Sequence, residues 1–457
     1  MAIRIGRVQF EHHQESIGIG ESKPRISWRF KGDARNWTQR SYELEIQQSE
    51  TLQIYNVTSS ESVLVPWPGK PLGSGELATV RVRVFGGEQE TVSPWSEHVI
   101  VEAGLLHRND WSSSLIAAGQ PCDISAPKQP VLFRRTFNLK AGVLKARVYI
   151  TAQGVYEAHL NGKRIGDHIL APGWTSYTHR LAYQTFDVTE LLQLGENVLS
   201  AQVGEGWFCG RLGFLGGKKN IWGDTIGLVA QLHIQTSDGQ ETVINSDSEW
   251  TSSTGSLITS ELYDGEVCDL NLGQKGWQTQ GQGFDDSSWA NAKTLPLPMA
   301  TLVAPDGPPV RQTQEIEAIS AFKSPSGKTI VDFGQNLVGW VRINLSGPRG
   351  NVIRLLFTEV LEDKEVATRP LRDCKATDTI TLSGEDCVWE PKFTFHGFRY
   401  VQLDGMLSNV DSFDLKTVTA IVVHTDMEQT GWFDCSNSLL NQLHSTCILG
   451  SQKSDSK

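Results

Sequence analysis

Two sets of side chains in this sequence could carry chemistry. The first is acidic: Asp264, Glu266 and Asp269, with Asp285 and Asp286 nearby. Two carboxyl groups about 6.5–9.5 Å apart can cleave a glycosidic bond with inversion, one protonating the leaving oxygen while the other activates water. Turns and solvated faces account for these five acids as they stand, so no catalytic residue is assigned. The second set is aromatic. Trp174 lies in Ala-Pro-Gly-Trp-Thr-Ser-Tyr, and Trp207 and Trp222 lie in Gly-rich loops with Arg211 and Asp224. An indole face beside bidentate polar groups suits recognition of a sugar ring. These five are the candidate carbohydrate-binding residues, although a Trp taken singly is more often a packing anchor, and that reading is favoured for Trp174 alone.

Other chemistries find no support. Cys122, Cys209, Cys268, Cys374, Cys387, Cys435 and Cys447 include no C-x-x-C pair, which argues against zinc or redox work. Their odd number and wide spacing fit free thiols in a reducing compartment. Gly204-Glu205-Gly206 is not a dinucleotide fingerprint, because no helix is expected after it. His396 and Arg399, in Phe-His-Gly-Phe-Arg-Tyr, read as buried, paired structural residues. Asp332, Gln335 and Asn336 read as turn chemistry after a strand.

The elements that must position these groups are strands. Tyr42–Ile46 and Val80–Val84 alternate strictly between apolar and polar residues, and 146–150 and 229–234 come close. Period two with β-branched and aromatic residues predicts half-buried strands. Asp238-Gly239 predicts a hairpin turn. The 457 residues suggest about three domains on length alone. Their 43 Gly and 18 Pro fit a turn-rich β architecture. The net charge of −11 disfavours a nucleic-acid partner. No apolar run of about 18 residues predicts a membrane span, and Met1 to Phe10 lacks the apolar core of an export signal. The cytoplasm is therefore the expected location, and three glycosylation sequons, at Asn36, Asn56 and Asn344, are read as chance matches.

The predicted fold class is all-β: three consecutive β-sandwich-like domains followed by one short C-terminal helix. Residues 1–104 read as a fibronectin type III-like sandwich. Residues 105–300 form a second unit, opened by a polar linker or edge strand to about residue 128 and closed by the proline-rich stretch Pro296 to Pro309. Residues 301–424 form a third. In 425–457, Asp434-Cys435-Ser436-Asn437 offers cap chemistry, and Leu439, Leu440, Leu443 and Cys447 share one helical face. A lone helix rarely holds itself in water. It either docks on the third unit or leaves its face open to partial disorder or self-association.

Several motifs, in order, carry a resemblance. Leu160-Asn161-Gly162, then Pro172-Gly173-Trp174-Thr175, then Tyr183-Gln184-Thr185-Phe186-Asp187 resemble the N-terminal β-domain of microbial α-L-rhamnosidases. Gly206-Trp207, Gly223-Asp224 and Tyr263-Asp264-Gly265-Glu266 fit the same pattern. Val331 to Trp340, Ala376-Thr377-Asp378-Thr379 and Phe395 to Tyr400 resemble the family's second signature domain. Gly431 to Asn437 with Leu440 to His444 resembles the opening of its catalytic (α/α)6 barrel. The resemblance implies hydrolysis of terminal α-L-rhamnose from rhamnosides, with rhamnose-containing glycosides as partners. It also implies that 425–457 begins a truncated barrel, because the family's Thr-Asp-Cys-Pro and Arg-Asp-Glu-Arg clusters do not follow. The expected function is thus that of a non-catalytic family fragment, and the alternative is a carbohydrate-binding or interaction protein built from accessory β-domains. Some relatives of this kind bind rhamnose through calcium. Asn161 and Asp167 could supply oxygens, but calcium takes six to eight and no dense Asp/Asn loop is present, so neither metal nor cofactor is expected.

Overall fold

The computed structural model describes residues 3–33, 36–87, 91–120, 126–213, 216–281, 284–406 and 413–454. Cys122, part of the 105–128 linker and the last three residues of the polar tail lie outside them. The architecture is all-β with a helix, Ser438–Ser454, at the C-terminal end of the described residues, as the sequence pattern predicts.

The alternation seen in sequence is the register seen in space. Gln39–Gln48 and Leu77–Gly86 pair antiparallel so that Tyr42 faces Val84, Leu44 faces Val82 and Ile46 faces Val80. All six are buried, with Trp28 and Phe10, in the core of the first unit. A one-residue slip would turn this whole set to solvent, so burial fixes the pairing. The sheet runs Ile17–Ile19, Val99–Ala103, Leu77–Gly86, Gln39–Gln48, Thr51–Val57, and Arg4–Phe10 pairs separately with Ile26–Lys31.

The second unit packs two sheets. One is ordered Lys163–Arg164, Val155–Leu160, Gly195–Gly204, Val131–Leu139, Thr251–Thr254, Ala290–Asn291. The other centres on Val143–Gln153 against Gly227–Thr236, where Val148 meets Leu232 and Ile150 meets Ala230. The turn at Asp238-Gly239 returns Gly227–Thr236 to Glu241–Asn245. Gly239 takes φ +81°, which a side chain would resist, and Asp238 accepts from the Thr236 hydroxyl.

The third unit is a ten-stranded sheet whose spine is the 17-residue strand Thr329–Leu345. That strand absorbs the predicted turn. Its register shifts between Asp332 and Leu337, with Asp332 accepting from the Gly334 N–H at 2.7 Å. The segment is therefore a bulge within a strand rather than a turn that ends one. Asp332 also holds Arg399 through two bonds of 2.8 and 2.9 Å. His396 is buried, stacked on Phe357 at 4.1 Å and bonded to Asp378 at 3.2 Å. Arg399 is paired as predicted but only half-buried.

The second and third units are not independent in space. Leu257–Glu261 and Gly265–Asp269, which precede the proline-rich stretch, join the third unit's sheet, the latter pairing in parallel with Thr377–Thr381. One hydrophobic cluster runs from Phe133 and Val148 through Trp250 to Trp340 and Phe398. Strand pairing at a distance of more than a hundred residues is invisible to a reading that follows the chain.

The helix Ser438–Ser454 is capped by Asn437, whose side-chain oxygen accepts from the Leu439 N–H at 3.0 Å and the Leu440 N–H at 3.4 Å. Asn441 ties the helix back to Asp434 and the Cys435 carbonyl, both at 2.8 Å. The apolar face stays open, and Leu439 is 72% exposed. The helix also touches Thr329–Leu345 and Val418–Thr425 of the third unit, and His444 meets the Phe433 ring at 5.3 Å, but the cap is its main local support, so Asn437→Ala should destabilise it by about 1 kcal/mol. Faster amide exchange at Leu439 and Leu440, with the strands unchanged, is the expected observation; unchanged exchange would show that packing, not the cap, holds the helix.

Candidate functional site

Trp174 and Trp207 come together although 33 positions separate them. Trp174 stands on the loop after Lys163–Arg164, and Trp207 on a single helical turn, Gly206–Cys209, that follows Gly195–Gly204. A helical segment therefore does follow Gly204-Glu205-Gly206, against the sequence expectation, but it is four residues long and all four are buried. The two indoles stack with centroids 6.3 Å apart and planes within 9°, an offset geometry that aromatic quadrupoles favour. Trp207 is 7% exposed and Trp174 is 51% exposed. The anchored ring thus supports a presented one.

These rings form one end of a groove of about 230 Å³. It is lined by the 168–173 loop, by Gln184 and, from the proline-rich segment, by Pro305, Gly307, Pro308 and Pro309. The Ile169 N–H donates to the Val310 carbonyl at 2.8 Å and so pins the loop to the end of that segment. Gln184 is fixed at both ends: its oxygen accepts from the Tyr156 hydroxyl at 2.8 Å, and its amide donates to the Pro172 carbonyl at 3.4 Å. His168 rests against Phe186 at 5.1 Å, and burial lowers its pKa, so a neutral imidazole faces the groove. Among the described residues the lining includes no carboxylate. Neutral donors, a stacked aromatic platform and stiff walls can hold a sugar ring but cannot supply an acid and a base.

The other three predicted residues lie elsewhere. Arg211 is consumed by acids: its N–H and Nε donate to Glu261 at 3.0 and 3.3 Å, and its guanidinium meets Asp264 at 2.6 Å. It also covers the Tyr263 ring at 5.3 Å. Trp222 is half-buried edge-on against Tyr177 at 5.8 Å, and its indole N–H is buried with no hydrogen-bond partner among the described residues. Asp224 is exposed and accepts from the Thr225 hydroxyl at 2.9 Å. None of the three lines the groove. His168, Gln184 and the Pro305–Pro309 lining escaped the sequence reading, since nothing local marks a proline-rich stretch as part of a groove built 130 residues earlier.

The carboxyl groups all have structural work. Asp264 pairs with Arg211 and with Lys375 at 3.2 Å. Glu266 is fully buried and accepts from the N–H groups of Lys392 and Phe393 at 3.0 and 2.7 Å. Asp269 caps a short 3-10 turn by accepting from the Asn271 N–H at 3.0 Å. Asp285 accepts from the Ser287 N–H at 2.9 Å on the surface, and Asp286 pairs with Arg134 at 2.6 Å. The calcium oxygens do not fit either. The Asn161 side-chain oxygen accepts from the Val198 N–H at 2.8 Å, while its amide donates to Leu191 and Asn197. Asp167 is bonded to Arg311 at 2.8 Å.

Three stretches of the chain match known domain families. Residues 5–107 match a domain described as Rha78A-like, N-terminal immunoglobulin domain. Residues 141–314 match the α-L-rhamnosidase N-terminal domain. Residues 322–424 match the bacterial α-L-rhamnosidase concanavalin-like domain. The crystal structure of the α-L-rhamnosidase from Aspergillus terreus superposes with a TM-score of 0.94 at 51% identity, over 98% of this chain and 52% of that one. That of the Streptomyces avermitilis α-L-rhamnosidase, in complex with L-rhamnose, gives 0.90 at 27% identity, over 99% and 60%. An α-L-rhamnosidase of Formosa agariphila is 30% identical over 459 residues, 96% of this chain and 49% of its own. The chain spans about half the length of such curated relatives. With its three β-domains matched in order and its backbone superposing on solved members almost end to end, the chain belongs to the α-L-rhamnosidase family.

Proposed function

We propose that this chain supplies the sugar-holding β-domains of a protein that removes terminal α-L-rhamnose from rhamnosides, and that these 457 residues do not break the bond themselves. One observation carries the reading: the groove that presents Trp174 has no carboxylate among its described lining residues. Inverting hydrolysis needs an acid and a base across the sugar. A groove without them binds.

The experiment is calorimetric titration with methyl α-L-rhamnoside. Trp174 is half-exposed, so Trp174→Ala should cost only the roughly 0.5–1.5 kcal/mol of its stack on Trp207, while weakening binding at least tenfold, about 1.4 kcal/mol. Equal affinity in the variant, or no heat with the unaltered chain, would remove the groove from the account.

A further inference from the structure

A second cavity lies where the first unit meets the second. It measures about 200 Å³, and its lining includes Gly75 and Glu102 from the first unit and Lys145, Tyr149, His233 and Glu241 from the second. Tyr149 is 2% exposed. Its ring is held among Trp111 and Tyr183, both at 6.4 Å, and His233 at 5.2 Å. Its hydroxyl stands beside Gly75, 3.4 Å from where a side chain there would begin. Tyr149 lines the cavity, and its hydroxyl is not among the sealed polar atoms of the core.

His233 offers a second donor. Gln231 accepts from the N–H groups of Ser112 and Ser113 at 2.7 and 3.1 Å, which fixes its oxygen and turns its amide toward His233 Nε2 at 2.8 Å. Nε2 therefore accepts and the proton resides on Nδ1. His233 itself lines the cavity. Tyr149 and His233 thus bring two donors to the lining of one cavity.

The charges around them select the ligand. Glu102 takes Lys145 at 3.2 Å and Arg147 at 3.0 Å, and Arg147 also holds Asp187 at 2.8 Å. These four cancel. Glu241, on the exposed side, accepts from Gln235 at 2.9 Å and can accept again. With those four cancelled, Glu241 leaves the lining one negative charge, which disfavours an anion, while the donors of Tyr149 and His233 disfavour a cation. A neutral ring bearing hydroxyls would accept from Tyr149 and His233 and donate to Glu241. We propose that this cavity is a second saccharide site that takes one neutral sugar unit, separate from the groove at Trp174 and Trp207.

The proposal does not rest on the groove, and its test silences it. L-rhamnose, D-glucose and D-galactose are each added to the 457-residue Trp174→Ala chain and followed by saturation-transfer NMR. At least one should bind, and Tyr149→Phe should weaken it at least fivefold while the melting temperature stays put, since the change removes only the hydroxyl and keeps the packed ring. Glu241→Gln, at an exposed strand position, should weaken the same sugar. The proposal is overturned if none of the three sugars binds, or if Tyr149→Phe leaves the bound sugar's affinity unchanged.

Discussion

Glu266→Gln should stabilise the protein at pH 8.5 and hardly change it at pH 4.5. Glu266 lies on Gly265–Asp269, the strand that joins the third unit's sheet. Burial raises its pKa, and the neighbouring Asp378 raises it further, to about 8. One Asp378 oxygen accepts from the Glu266 N–H at 2.9 Å and faces His396 Nε2 at 3.2 Å; the other is buried with no partner among the described residues. A protonated Glu266 relieves that crowding of acids. The sign follows from where protons sit. The folded chain keeps a proton that the unfolded chain releases above its ordinary value of 4.5. Stability from this group is therefore complete below 4.5 and is lost as pH rises toward 8, with a slope of up to about 1.4 kcal/mol per pH unit. Glutamine keeps the acceptor for Lys392 and Phe393, can donate to Asp378 and cannot ionise. His159, lowered to about 4 chiefly by burial, works in the opposite direction between 4 and 6.5. The readout is therefore the variant-minus-native difference in melting temperature, which should grow by several degrees from pH 5 to pH 8.5. A difference that stays flat would mean that Glu266 is ionised throughout.

Arg211→Ala should cost about 3 kcal/mol of stability and leave rhamnoside binding intact. The guanidinium is the main partner of Glu261, which is buried, and it shares Asp264 with Lys375. Removing it leaves Glu261 with Lys219 at 3.4 Å and with the backbone N–H of residue 211 at 3.0 Å. Breaking a buried pair from one side typically costs 3–5 kcal/mol, because the remaining charge stays desolvated; the second lysine places this case at the lower end. Chemical denaturation measures the first part and calorimetry with methyl α-L-rhamnoside the second. A variant of unchanged stability that no longer binds sugar would restore Arg211 to the recognition role that its position in a Gly-rich loop suggests.

Arg211 also shows how far a sequence can be read. Its loop advertises an Arg beside aromatic residues, but the acids that claim it, Glu261 and Asp264, arrive fifty residues later through long-range pairing. The strands were legible because period two is local: Leu44 and Val82 had to face inward whatever their partners. Trp174 and Trp207 were legible as separate loop aromatics, but not their stacking, nor the lining contributed from Pro305 to Pro309. The bulge at Asp332 read as a turn because Asp, Gly and Asn serve both. Most tryptophans, Trp28, Trp250 and Trp340 among them, proved to be core anchors, so residue type alone could not separate a binding face from a packing one.

Incubating the 457-residue chain with an aryl α-L-rhamnoside and recording proton NMR spectra over time puts binding and cleavage in one tube. Saturation transfer to the intact glycoside, with no free rhamnose accumulating, is the outcome expected of a groove that presents Trp174 without acids. Free rhamnose released at a rate that disappears when Asp264, Asp269, Asp285 or Asp286 is neutralised would contradict it.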